Sequence, residues 1–568
     1  MKIKFLFLFV LSFTCLSVYS QFSKNANGVT IECPLANVGD TGVVDGVTYT
    51  AVDRASLITK IAAGQASECC TSLVTDMNAL FSGNLTNPDI RSWDTSSVTN
   101  TAIMFMNATN FNQDLSKWNL GKVESTMAMF QGATNFNNGE APGASTNSLN
   151  SWDTSEAVEL RFMFNNAISF NQDIGNWDTS KNRTTQAMFK GARRFNRPIG
   201  NWNVSSVVNM SEMFHEAHAF NQDIGNWDTS SVIDMTFMFD RAKVFDKPIN
   251  NWDVSSVTDM RYMFRGYDGQ HYKFNQPLNN WDVSNVMSME GMFATTNGDG
   301  AGDNRLFNQD IGNWDVSSVT NMLGMFKSAN QFNQDLSDWD MSSVTDIGLM
   351  FDRATNYNNG GVSLNCWDTS NITNFTWTFF MSGFNQDISR WCVQSVGAAP
   401  GNFSNGAPFD GNAAFQPLWG QPCEDRSVVI SFDNETRTFG DPVFTVTATS
   451  NQLGIPISYS IADTSIATID GSSGEITIIK PGTTIVTASQ NSSCISGSGN
   501  MTLTINKKDI DINADDIILT FGDLDYTLSA TSSITDTNFT YTISDGSIGS
   551  ISGDQLSIIK AGSTSITI

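Results

Sequence analysis

Apolar and polar residues recur along most of this chain with a fixed beat. Tryptophan stands at 93, 118, 152, 177, 202, 227, 252, 281, 314, 339, 367 and 391. Six of the eleven intervals are 25 residues and one is 24, while the others, 34, 29, 33 and 28, are the same unit carrying an insertion. A period in the twenties is the mark of one supersecondary unit stacked on copies of itself. Inside a unit, Met210, Met213, Phe214 and Ala217 fall at i, i+3, i+4 and i+7, which predicts a short amphipathic helix. The Ser/Thr/Val-rich stretch from Trp202 to Val208 predicts a short strand. The expected fold class is an α/β solenoid with one short strand and one short helix per coil.

Stacked coils would bring equivalent residues into columns. Phe105, Phe130 and Phe164 begin one that continues through Phe326 and Phe351 to Phe380, and a second runs from Phe111 and Phe136 to Tyr357 and Phe384. Each buried Phe contributes roughly 1.5–3 kcal/mol, so two such columns could serve as the core. After the second column comes Asn in ten of eleven units, Asn112, Asn137 and Asn171 among them, and Asp246 in the other. A repeated amide beside an aromatic column predicts an asparagine ladder, because buried amides must be satisfied. The tryptophans are expected inside as one more core column, not outside as a sugar-stacking surface.

The acidic positions read as turn chemistry. Asp follows Trp in nine units, but Asn119, Asn203 and Cys392 take the place in the others. A second Asp position (114, 173, 223, 310, 335 and 387) becomes Pro at 198, 248 and 277, an exchange a turn accepts and a metal site does not. The loop from Asn297 through Asp299 to Asp303 comes nearest to a calcium loop. Ala301 stands where a ligand is wanted, however, and no bidentate Glu closes it, so no cofactor is expected. His215 and His218 share one unit without a third ligand, and no P-loop, dinucleotide fingerprint or nucleophile elbow occurs. Periodic carboxylates would make about a dozen equivalent sites, none distinguished for acid–base work. No catalytic, cofactor-binding or metal residues are expected, and the chain is not read as an enzyme.

The insertions, within about 137–150, 265–273, 294–306 and 356–365, all fall between the expected helix and the next strand. They would protrude on one edge, either as a recognition rim or as a corner that merely tolerates insertion. Candidate rim residues are Tyr267, His271, Tyr272, Asn297, Asp299, Asp303 and Arg305.

Flanking sequence divides the rest. Residues 1–20, with Lys2 and Lys4 before an apolar run and Ser20 at its end, read as a secretory signal peptide. No later stretch reaches the ~18 apolar residues needed to span a bilayer. Residues 21–73 form an N-terminal cap in which Cys33 could pair with Cys69 or Cys70. The repeats occupy 74–423. Cys366 precedes Trp367 and Cys392 follows Trp391, which makes these two a candidate disulfide between adjacent coils. Beyond Cys423, Thr, Ser, Ile and Val alternate with period two, and Thr438 to Asp441 returns as Thr520 to Asp523. Two β-sandwich modules are expected, 424–507 and 508–568, the second incomplete, with the protein continuing beyond it. A formal net charge of −26 argues against a nucleic-acid partner.

The phrase running from Phe220 to Asp228, repeated from Phe307 to Asp315, resembles the BspA-like leucine-rich repeats of bacterial surface proteins over about 74–423. The C-terminal modules resemble bacterial immunoglobulin-like (Big-type) domains. Departures occur at Thr184–Thr185 and at Phe379–Phe380, where Met-Phe is expected. The resemblance implies a right-handed leucine-rich-repeat-like solenoid followed by all-β immunoglobulin-like sandwiches. It also implies a secreted or cell-surface adhesin-type protein whose partner is an extracellular host or matrix protein or a polysaccharide. The alternative is a spacer that displays another domain at the cell surface.

Overall fold

The computed structural model describes residues 21–144, 148–267, 272–295, 306–423, 428–451, 456–492, 495–534 and 538–568. The expected signal peptide lies outside them. The chain divides into two compact units, Met1–Glu424 and Asp425–Ile568.

The first unit opens with small β elements. Ser23–Lys24 pairs with Ile31–Glu32, and Thr41–Val44 with Val47–Ala51, which in turn runs parallel to Cys69–Cys70. Between them lies the helix Arg54–Ala62, the one α-helix among the described residues. Asp53 caps it, accepting the Ser56 amide while the Ser56 hydroxyl returns to the Asp53 backbone. Of the two partners open to Cys33, Cys70 takes the disulfide, with Cα atoms 6.2 Å apart. Cys69 stays a buried thiol whose pKa is pushed up to about 11 by burial.

The strand and helix expected in each repeat do not form. Among the described residues, 71–429 hold no α-helix and no strand, and isolated parallel bridges such as Asn209–Asp234 and Asp234–Asp259 join one unit to the next. Met210, Met213, Phe214 and Ala217 are buried as the helical spacing suggests, but by consecutive turns. The amides of Met213, His215 and Ala217 donate to the carbonyls of Met210, Glu212 and Phe214 at 3.2, 3.1 and 3.0 Å. Those of Met210, Glu212, Phe214 and Glu216 donate instead to Asp234, Thr236, Met238 and Asp240 of the next unit, at 2.8–3.0 Å. A helix would send each of these N–H groups four residues back along its own chain. Sending alternate ones outward drives Glu212 and Glu216 to left-handed φ of 58° and 57°. The same pair of left-handed positions recurs at Phe237 and Arg241 and at Leu349 and Arg353. The α/β solenoid is thereby corrected: each unit is a ridge of turns held by single-residue bridges. A run of such turns buries apolar residues at nearly helical intervals, which is why the pattern read as a helix.

Aromatic ladders fill the interior. Phe105 stacks on Phe130 at 5.3 Å and Phe111 on Phe136 at 6.0 Å, while Trp93 lies parallel to Trp118 at 6.3 Å. Every ladder tryptophan is buried, and its indole N–H donates to a carbonyl of the preceding unit, as Trp227 does to Ile199 at 3.1 Å and Trp252 to Ile224 at 3.0 Å. At Phe379–Phe380 the register differs by one from that expected. Phe379 enters the column, stacking on Phe351 at 5.5 Å, and Phe380 is left half-buried outside it. At the other departure, Thr185 takes a methionine's place in the core and its hydroxyl finds no partner.

The asparagine ladder is present. Asn171 Oδ1 accepts the Asn196 amide at 2.9 Å, Asn196 Oδ1 accepts that of Asn221 at 3.0 Å, and Asn221 Oδ1 that of Asp246 at 3.0 Å. Asp246 performs the same service for Asn275 at 3.1 Å. The carboxylates after tryptophan close turns two residues on, as Asp228 does with Ser230 and Asp315 with Ser317. Hydrogen bonds from these serines hold Asp153, Asp178, Asp228 and Asp315 below their usual pKa of 3.8.

In the second unit, Ser458–Ile461, Gly482–Ser492, Ile495–Asn506 and Glu435–Thr438 lie side by side in a four-stranded sheet whose last pair is parallel. A three-stranded sheet of Ala467–Ile469, Glu475–Ile478 and Phe444–Thr445 packs with it around Ile476, Val486 and Leu503. Farther on, Gly549–Ser552, Gln555–Ile558 and Tyr526–Thr527 repeat the three-stranded arrangement. The two Thr-Phe-Gly-Asp phrases close identical turns, with Asp441 accepting the Thr438 amide at 2.9 Å and Asp523 that of Thr520 at 2.8 Å.

Two outcomes follow for stability. Asn196→Ala strands the Asn221 amide and is expected to cost about 1–3 kcal/mol in denaturant unfolding, whereas Asn196→Asp keeps the acceptor and is expected to cost much less. The turn-closing aspartates have folded pKa values below the unfolded value. Their contribution is therefore complete above about pH 4 and is lost as pH falls through the lowered folded values. Replacing Asp153, Asp178, Asp228 and Asp315 together by Asn is expected to flatten the acid limb of a melting-temperature profile.

Candidate functional site

The expected rim is only partly within view. His271, Asn297, Asp299, Asp303 and Arg305 lie outside the described residues. Tyr272 is buried, and its hydroxyl oxygen accepts the Tyr267 amide at 2.9 Å. Tyr267 is exposed, with the Arg241 guanidinium 5.1 Å above its ring. Two of the insertions turn back into the stack. Asn138 and Asn359 are buried, and each accepts an amide of an earlier residue, Leu115 and Leu336, at 2.7 Å. Of the cysteines expected to pair, Cys392 is bonded to Cys423, with Cα atoms 4.9 Å apart, and Cys366 is also disulfide-bonded.

Buried tryptophans and turn-closing aspartates leave the ridge of turns as the place where the repeat varies. Its first left-handed position carries Phe162, Phe237, Tyr262, Leu349 and Trp377, at φ of 59°, 57°, 57°, 59° and 62°. All five side chains are half-buried. Equivalent units place Gly291 and Gly324 there. For an L-residue the left-handed region costs roughly 1–2 kcal/mol, and a bulky residue there is an outlier. A helix reading of the sequence hides this column, because it gives that position no special conformation.

Between residues 190 and 290 the ridge carries a charged and aromatic network. Asp240 has a fully buried carboxylate gripped by the Arg265 guanidinium, Nε to Oδ1 at 3.1 Å and Nη2 to Oδ2 at 2.9 Å. His215 Nε2 approaches the same carboxylate at 3.3 Å. Arg265 also lies over the rings of Tyr262 and Phe237, at 4.5 and 5.1 Å, and those rings stack on each other at 4.8 Å. The neighbouring His215, helped by Lys190, holds the Glu212 carboxyl down at about 2 against the opposing pull of burial. Burial brings His218 down to about 4 and Tyr262 up to about 12.

Farther along, three successive units surround an open depression of about 530 Å³. Trp377 and Leu349 from the left-handed column and Leu323 supply its apolar walls. Between them lies Asp352, its carboxylate fully buried and 3.3 Å from both Lys327 Nζ and Arg353 Nη1. Burial raises the Asp352 pKa, while the two cations pull it back. Gly348 and Asn374 contribute to the lining, and a Cβ at 348 would come within 2.6 Å of Asn374 Nδ2.

Among the described residues no group of three or more His, Cys, Asp and Glu side chains is placed to hold a metal ion. Nor is any described helix long and apolar enough to cross a membrane. The ridge offers stacking surfaces, fixed ion pairs and one depression, which is an equipment for binding.

No curated protein matches the chain. Among solved structures, the protocadherin GammaB4 extracellular domain matches at 16% identity over 24% of this chain and 30% of its own, with a TM-score of 0.14. Human protocadherin-24 EC1-2 matches at 15% over 24% and 78%, and Drosophila N-cadherin EC1-4 at 18% over 24% and 42%, both with TM-scores of 0.15. Scores this low carry nothing about this chain. A family described as "Mycoplasma protein of unknown function, DUF285" matches at 56–142, 140–223, 197–298 and 299–415. That family, and not a leucine-rich-repeat or bacterial immunoglobulin-like one, is what the comparisons support, so both resemblances drawn from the sequence are corrected. With its repeats matched almost from end to end, the chain belongs to the DUF285 family.

Proposed function

We propose that this chain is an exported, non-enzymatic interaction protein whose ridge of turns recognises an extracellular partner. The observation that carries the reading is the choice of residue at the left-handed column. Phe162, Phe237, Tyr262 and Trp377 occupy a conformation that favours glycine, yet their rings remain half-buried instead of filling the core. Folding alone would favour Gly there, as at 291 and 324, so the rings serve something outside the fold. Aromatic side chains with a fixed backbone are strong anchors for a partner, because little side-chain entropy is lost on contact. Export is supported by the signal-peptide pattern of residues 1–20.

The test replaces Phe162, Phe237, Tyr262 and Trp377 together by Gly. Relief of the left-handed penalty and the added freedom of the unfolded chain nearly cancel, so stability is expected to stay within about 1 kcal/mol per site of the wild type. Adhesion of the protein to cells and to matrix-coated surfaces is expected to collapse. Unchanged adhesion by the quadruple variant would remove the ridge from the recognition mechanism.

A further inference from the structure

We propose that the depression beside Trp377 is a binding site for an acidic carbohydrate, a pyranose ring bearing a carboxylate. This deepens the recognition reading above and rests on it. The volume, about 530 Å³, lies within the ~300–1,000 Å³ range of small-ligand sites. Its depth comes from missing side chains, since Gly324 and Gly348 stand where neighbouring units carry Tyr262, Leu349 or Arg261. Around it Trp377, Leu349 and Leu323 present apolar surface, and Lys327, Asp352 and Arg353 run between them as a band of charge.

That arrangement selects its ligand by chemistry. An apolar side chain of a peptide laid across the depression would cover the ion pairs and offer them nothing, and desolvated charges left without new partners are costly. A pyranose ring meets both demands. One face presents C–H groups to the Trp377 indole, and the edge presents hydroxyls that donate to Asp352 and accept from Lys327 and Arg353. The carboxylate is called for by the charge count of the cluster. Two cations face one buried carboxylate, leaving one positive charge on a chain whose formal net charge is −26. Arg353 uses one Nη on Asp352, at 3.5 and 3.3 Å to its two oxygens, and lies 5.3 Å over the Phe380 ring, so its guanidinium is held in place with further N–H groups to donate.

The experiment is calorimetric titration of the intact protein with four probes. These are an oligogalacturonate, a sialylated lactosamine glycan, a neutral maltohexaose and a peptide rich in Leu and Asp. The first two share the acidic pyranose and separate a free polysaccharide from a glycoprotein glycan as its source. Saturable binding of at least one acidic probe is expected, weaker by at least about tenfold for Trp377→Gly and restored to within about threefold by Trp377→Phe, which keeps a ring on the wall. Phe237→Gly, elsewhere on the ridge, should leave it unchanged. Since Gly suits the backbone at 377, loss of binding there reports the ring and not unfolding. The assignment is overturned if neither acidic probe binds, if maltohexaose binds as tightly, if only the peptide binds, or if Trp377→Gly binds like the wild type. Failure on the sugars with adhesion still abolished by the quadruple glycine variant would sink this site and leave the ridge reading standing. Loss of neither would sink both.

Discussion

Alternate main-chain amides of each ridge leave their own unit and bond the carbonyls of the next, and the rest of the repeat follows from that exchange. The amides of Glu212 and Phe214 serve Thr236 and Met238, so they cannot serve a helix. The chain answers by closing four-residue turns in between, and each closure needs a left-handed residue. Two consequences run in opposite directions. Inward, the turns put Met213, Phe214 and Ala217 into the core at spacings that let identical side chains stack on one another. Outward, the left-handed residues project from the ridge, where side chains are free of packing demands.

Polar groups inside such a stack have nowhere to go except the neighbouring unit. The indole N–H of each ladder tryptophan reaches back to a carbonyl, and each asparagine oxygen takes up the next unit's amide. Both are repeated because the need is repeated: a buried donor without a partner costs about 1–3 kcal/mol every time it occurs. Where the repeat lapses the need shows, as at Thr185, whose hydroxyl is buried and unpaired. Stability is thus spread over interfaces between neighbours instead of residing in one centre.

Much of this was legible in the sequence. Tryptophan spacing set the unit, and the columns of Phe and Asn are those found, apart from the single-residue shift that puts Phe379 in place of Phe380. Proline at 198, 248 and 277 correctly marked its position as a turn. What could not be read was the conformation between Met210 and Ala217. Apolar residues at i, i+3, i+4 and i+7 satisfy a helix and a run of turns alike, and only the destination of the amides separates them. Gly291 and Gly324 were the available clue, since glycine inside a helix is a cost and at a left-handed turn it is an advantage. With the helix assumed, attention went to the insertion loops, and Trp377, Lys327, Asp352 and Arg353 were not singled out. Those residues differ from unit to unit, and a repeat searched for its regularities hides them.

The left-handed ridge is the central claim, and Gly324 tests it most directly. Its φ is +61°, and a Cβ there would meet nothing closer than Lys327 Cβ at 3.8 Å, so Gly324→Ala probes backbone conformation without a clash. Denaturant unfolding of that variant is predicted to show a loss of about 1 kcal/mol, the left-handed penalty less the gain from a stiffer unfolded chain. A rise in stability of about 1 kcal/mol, as alanine gives in a helix interior, would contradict the account.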